Sequence, residues 1–135
     1  MSTLPDDADA LKTWRRDERR RLLAAREAVA APVLDSWRRA IDDHLARGFP
    51  GLAGATVGLY WPHRNEYDAR HLAARLREAG ATTALPVVAR PREPLTFREW
   101  HPGVKMQKGV LDIPFPVESV EVKPTVLLIP PVGFD

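Results

Sequence analysis

A chain of 135 residues is one domain by length, and its 44% hydrophobic and 28% charged content is ordinary for a globular protein in water. The absence of cysteine excludes disulfides, thiolate metal sites and cysteine nucleophiles. Without a membrane-length apolar run or a signal-peptide pattern, a cytoplasmic protein with no membrane partner is expected. The net charge is only +2, so sixteen arginines against four lysines do not by themselves argue for nucleic acid, although guanidinium suits phosphate oxygens.

Residues 1–9 read as a frayed tail. A first helix is expected over Leu11–Ala30, with Leu11, Trp14, Leu22, Ala25 and Val29 near helical spacing. Its other faces carry Lys12 and six arginines against three acids, which is usually a solvated surface. Lys12 and Arg16, four apart, share one face and are together able to meet a phosphate. Ala31-Pro32 breaks the chain and opens a second helix, with Val33, Leu34, Trp37, Ala40, Ile41, His44 and Leu45 as its apolar stripe. His44 reads as a packing histidine, and Gly48 as a left-handed terminator.

The period then changes. Ala55–Tyr60 reads as a strand closed by Trp61-Pro62. Asn65 reads as the N-cap of a helix over Glu66–Ala79, with Asp68 three residues on and Gly80 behind. A strand over Thr82–Val88 completes a β-α-β unit, which argues for a parallel pair. The polar turn from Trp61 to Glu66 lies outside the carboxyl end of its strand, where open α/β sheets bind ligands. Leu95–Trp100 alternates as a strand with one polar face, and residues 107–124 read as loop. Thr125–Ile129 is a continuous apolar run, expected to be a central strand buried on both faces. A chain stopping just after such a strand is expected to be cut short at its carboxyl end.

No Walker loop, GxGxxG, GxSxG or HExxH pattern is present. The residues alone lead to a single α/β domain that binds an anionic ligand, with no catalytic residue assigned.

The order of features resembles the 5-formyltetrahydrofolate cyclo-ligase (methenyltetrahydrofolate synthetase) family. The resemblance rests on Lys12-Thr-Trp-Arg-Arg16, Gly58-Leu-Tyr60 with Asn65-Glu66-Tyr-Asp68, Leu85-Pro86-Val87, Leu95 to Trp100, Gly109 to Pro116, and Leu128 to Asp135. It implies a three-layer α/β sandwich with a mainly parallel sheet and two N-terminal helices packed on it. It implies ATP-dependent cyclisation of 5-formyltetrahydrofolate, with or without a polyglutamate tail, to 5,10-methenyltetrahydrofolate, with Mg²⁺ on the phosphates. Lys12 and Arg16 would hold ATP phosphates. Glu66 would accept hydrogen bonds from the pterin, Trp61 would stack on it, and Tyr60 would line the same wall. Two departures stand out. Phe115 occupies a place where the family often has Glu or Gln, and the glycine- and tyrosine-rich phosphate loop after the family's Phe-Asp is absent from this sequence. A non-catalytic relative that binds a folate or nucleotide is the alternative. An RNA-binding module using Arg15 to Arg21 with Trp14 ranks below both, because no stacking platform of aromatics falls on a strand.

Overall fold

The computed structural model describes residues 7–87 and 92–133. Helix α1 spans Ala8–Glu27. It begins earlier than expected because Asp7 is its N-cap, its side chain accepting from Ala10 N–H at 2.7 Å. Helix α2 spans Ala31–Gly48 with proline in its first turn, as the Ala31-Pro32 break predicts. Gly48 is the last helical residue, and no left-handed terminator forms there. His44 is exposed, not packed. A 3₁₀ turn over Pro50–Gly54 then leads into strand β1, Thr56–Gly58.

Helix α3 is Arg70–Glu78, four residues shorter at its start than the sequence suggests. Gly80, with φ +110, turns the chain into β2, Thr82–Val87. The later strands are β3 (Thr96–Glu99), β4 (Met106–Lys108), β5 (Pro114–Pro116), β6 (Glu121–Val122) and β7 (Val126–Leu127). The stretch 107–124 is therefore not simply loop. It holds the β4–β5 hairpin, in which Phe115 lies opposite Gln107, and the edge strand β6.

The main sheet has the order β6-β3-β2-β1-β7. β1 runs parallel to both β2 and β7, whereas β3 runs antiparallel to both β2 and β6. The sheet is thus mixed, correcting the mainly parallel expectation. The reason is local: the connection from β2 to β3 has no helix in it among the described residues, and β3 folds back directly on β2. The β-α-β unit is correct, with Thr56 aligned to Thr82 and Gly58 to Ala84.

The strand buried along its length is β2, not the run at 125–129. Thr83, Ala84 and Leu85 are buried, while Leu127 is 44% and Ile129 65% exposed on the β7 edge. Pro86 sits within β2 without breaking it. Trp100 N–H donates to Thr83 O, so alternation turns Ala84 and Pro86 toward β1. β1 ends at Gly58, opposite Ala84, so the missing N–H of Pro86 falls beyond that strand. The core joins α3 to the sheet through Leu72, Ala73 and Leu76 against Val57, Leu59 and Leu85. α2 packs against α3 and the 3₁₀ turn, and its outward face leaves Val33 and Trp37 exposed.

Candidate functional site

The polar turn expected at the carboxyl end of β1 is present, but it is wired differently. Glu66 N–H donates to His63 O at 3.1 Å, and Arg64 and Asn65 between them have φ of 51 and 61. Two left-handed residues in the centre of a tight turn are unfavourable for arginine and tolerated by asparagine. The surroundings hold the turn in place. Glu66 Oε1 accepts from His63 N–H at 2.9 Å. Arg26 Nε donates to Arg64 O at 2.8 Å, and the Arg64 guanidinium pairs with Glu27. The hydrogen bond from Arg64 holds the Glu27 carboxyl below its usual range.

Asn65 is not the N-cap of α3. Its Nδ2 donates to the carbonyls of Arg26 at 3.2 Å and Glu27 at 3.3 Å. These belong to the last turn of α1, where carbonyls lack helical partners. Asn65 therefore caps the carboxyl end of α1 and ties it to the site turn. The start of α3 is served instead by Asp68, whose Oδ1 accepts from Arg70 N–H at 3.1 Å.

Behind the turn, Tyr67 donates through its hydroxyl to Asp42, which is only 3% exposed. Arg38 donates to the other Asp42 oxygen at 2.8 Å and to Asp35 at 2.9 Å. Burial first, and the Asp42 carboxylate second, push the Tyr67 hydroxyl well above the ordinary tyrosine range. This network fastens α2 to the site segment.

Two clefts flank the segment 61–71. One, of about 490 Å³, lies between α2 and the turn and is bordered by Trp37, Arg38, Glu66, Tyr67 and Asp68. The other, of about 640 Å³, lies between α3 and the loop 100–106 and is bordered by Trp61, Arg70, Arg77, Trp100 and Met106. Asp68 and His71 border both. In the second cleft the Trp61 and Trp100 rings meet edge to face, centroids 6.0 Å apart and 87° between planes. Arg70 lies 4.3 Å above the Trp61 ring, and Arg77 5.3 Å above that of Trp100.

The sequence-expected site residues therefore do not converge on one cleft. Trp61 borders the α3 cleft and Glu66 the α2 cleft. Tyr60 is half-buried and meets Phe97 edge to face at 6.4 Å, bordering neither cleft. Lys12 and Arg16 are exposed on α1 and also border neither, and among the described residues Arg16 makes only a 3.4 Å ion pair with Asp17. Sequence reasoning passed over Arg70, Arg77 and Trp100. The first two are seven apart, which places them on one face of a helix two turns apart, and that spacing was a readable signal. Among the described residues no three His, Asp or Glu side chains gather as a metal cage. A Mg²⁺ carried on nucleotide phosphates does not require one. No described helix is long and apolar enough to cross a membrane.

Neither a family model nor a curated protein matches this sequence. Among solved structures, the NMR structure of 5,10-methenyltetrahydrofolate synthetase from Aquifex aeolicus matches with a TM-score of 0.74 at 19% sequence identity. The match covers 89% of this chain and 62% of the Aquifex chain, so this chain spans under two-thirds of that protein's length. At that identity the likeness is one of fold, and in fold this α/β chain is similar to a methenyltetrahydrofolate synthetase.

Proposed function

We propose that the protein belongs to a folate cyclo-ligase system that converts 5-formyltetrahydrofolate to 5,10-methenyltetrahydrofolate, with ATP going to ADP and phosphate. The observation that carries this reading is the coincidence of the fold match with an aromatic cleft at the carboxyl end of β1. Trp61, half-buried with Arg70 stacked on its indole and the buried Trp100 meeting its edge, offers its remaining apolar surface to a flat ring of the folate. Glu66 borders the neighbouring α2 cleft and uses one carboxylate oxygen on His63 N–H, so its other oxygen would accept from a pterin N–H only if the folate lies across the 61–66 turn, from one cleft to the other. Lys12 and Arg16 share one face of α1 and supply the charge that phosphate oxygens require. ATP, with Mg²⁺ on its phosphates, would supply the activating phosphoryl group. The chain's own task is to hold the folate against the indoles with its formyl group exposed.

The test is the near-ultraviolet absorbance of methenyltetrahydrofolate, measured with 5-formyltetrahydrofolate, ATP and Mg²⁺. ATP-dependent growth of that band supports the reading, and its absence at high protein concentration refutes it. Glu66→Gln keeps an acceptor for His63 N–H, so it should lower turnover while leaving stability unchanged. Lys12→Ala should raise the KM for ATP. If both variants behave as wild type, these two roles fall. The alternative, folate binding without turnover, is favoured by Phe115, an apolar side chain opposite Gln107 in the β4–β5 hairpin. Calorimetry that shows folate heat without any methenyl band would select it.

A further inference from the structure

Arg77 is an unusual arginine in this molecule. Its guanidinium sits half-buried over the Trp100 ring, and no acidic side chain pairs with it among the described residues. The only hydrogen bond it makes there is from Nη1 to Thr83 Oγ1 at 2.8 Å. Thr83 is itself 1% exposed and its hydroxyl donates a hydrogen bond to Trp100 O at 2.6 Å, so the hydroxyl is fixed as donor to the carbonyl and acceptor from arginine. The guanidinium is thereby oriented on one side, with the donors on its other nitrogens unassigned. Burial lowers its pKa, yet a guanidinium stays charged.

The other arginine of the cleft differs. Arg70 reaches both oxygens of Asp68 at 2.8 Å from Nε and Nη2, a bidentate pair that cancels both charges locally. The α3 cleft is thus left with one uncompensated positive charge, at Arg77, beside two indoles and Met106. A half-buried charge costs desolvation unless an anion meets it. The partly exposed apolar surface of Trp61 and Met106, with one oriented guanidinium beside it, fits a ring joined to a carboxylate.

We propose that the cleft between α3 and the loop 100–106 binds the carboxylate end of a ring-bearing acid, with Arg77 as its counter-ion and specificity residue. This rests on the folate reading for the natural ligand, in which the acid would be the glutamyl end. The cleft chemistry stands on its own.

The experiment follows the indole N–H signals of Trp61 and Trp100 in ¹⁵N-correlated NMR spectra of the full chain. The probes are N-(4-aminobenzoyl)-L-glutamate, its uncharged diamide, and inorganic phosphate. The acid should shift both indole signals and bind about tenfold or more tightly than the diamide, the worth of a charge-assisted hydrogen bond. Arg77→Gln should erase that difference, and Arg77→Lys should restore part of it. Equal binding of acid and diamide by the wild type overturns the proposal even if the variants fail to fold. So does absence of indole shifts with the acid. Phosphate that shifts the same indoles as tightly as the acid also overturns it, marking an anion site without ring selectivity. None of the probes carries a formyl group or a pterin, so the result is independent of turnover. Loss of the cyclo-ligase reading with Arg77-dependent acid binding intact leaves this inference standing.

Discussion

Replacing Asn65 by aspartate separates two roles that the sequence alone treats as equal. As an N-cap, aspartate serves as well as asparagine. As the C-cap seen here, it fails twice. It has no N–H to give the carbonyls of Arg26 and Glu27, and it sets a negative charge at the negative end of α1. The two bonds are long and exposed, so their loss costs together about 0.5–1 kcal/mol. The carboxylate at the helix end adds about 0.3–1 kcal/mol. Arg26 and Arg64 face the same turn and offset part of this, so Asn65→Asp should destabilise by about 1 kcal/mol, or roughly 4 °C in Tm for a chain of this size. Asn65→Gly keeps the left-handed backbone and loses only the donors, about 0.5–1 kcal/mol. Asn65→Ala loses the donors and must also hold φ 61, a further cost of about 1–2 kcal/mol. Urea denaturation at neutral pH, followed by circular dichroism, should rank the variants with glycine mildest and alanine worst. A carboxylate at that helix end protonates more readily folded than unfolded, so the charge part of the aspartate deficit should shrink as pH falls toward about 4 and be gone below it. An aspartate variant as stable as wild type would refute the C-cap assignment.

Gly58→Ala should cost about 1–3 kcal/mol, because a Cβ there would lie 2.6 Å from Leu127 Cδ2, 3.0 Å from Phe97 Cε1 and 3.2 Å from Pro124 Cγ. Unchanged denaturant stability would mean that β7 does not pack across β1 as described. Tyr67→Phe leaves a nearly buried Asp42 oxygen without its donor and should cost about 1–3 kcal/mol at pH 7. Tyr67 also gives stability a pH dependence. Its folded pKa is raised, so its contribution is full below the unfolded value near 10 and declines above it, because only the unfolded chain ionises. The slope is at most about 1.4 kcal/mol per pH unit, and smaller for a partly exposed ring. Denaturation between pH 9 and 11 should show this decline in wild type and not in Tyr67→Phe, and parallel profiles would contradict it. Trp100→Phe removes the indole under Arg77 and the edge-to-face partner of Trp61, so the Trp61 indole N–H signal should move while the far-ultraviolet spectrum stays constant. An unmoved signal would show that the two rings are not in contact.

Much of the architecture is local enough to be legible in the sequence. The break at Ala31-Pro32, the β1-α3-β2 unit, Gly80 and the alternation at β3 all follow from proline geometry and hydrophobic period, which act over a few residues. The tertiary structure decided what depends on distant partners. A continuous apolar run is compatible with a centre or an edge, and only pairing makes β2 central and β7 an edge among the described residues. An asparagine beside a helix start is a good cap for either helix end. The carbonyls that claim Asn65 come from residues nearly forty positions earlier, which local spacing cannot register. The same holds for the candidate site. Trp61 is legible as part of a polar turn at a strand's carboxyl end because it follows an apolar strand-forming run. Its partners Trp100 and Arg70 come from β3's end and α3, and Asp42 reaches Tyr67 from α2. Side-chain chemistry is written in the sequence. Which charges are cancelled and which, like that of Arg77, are left over is settled only when the elements pack.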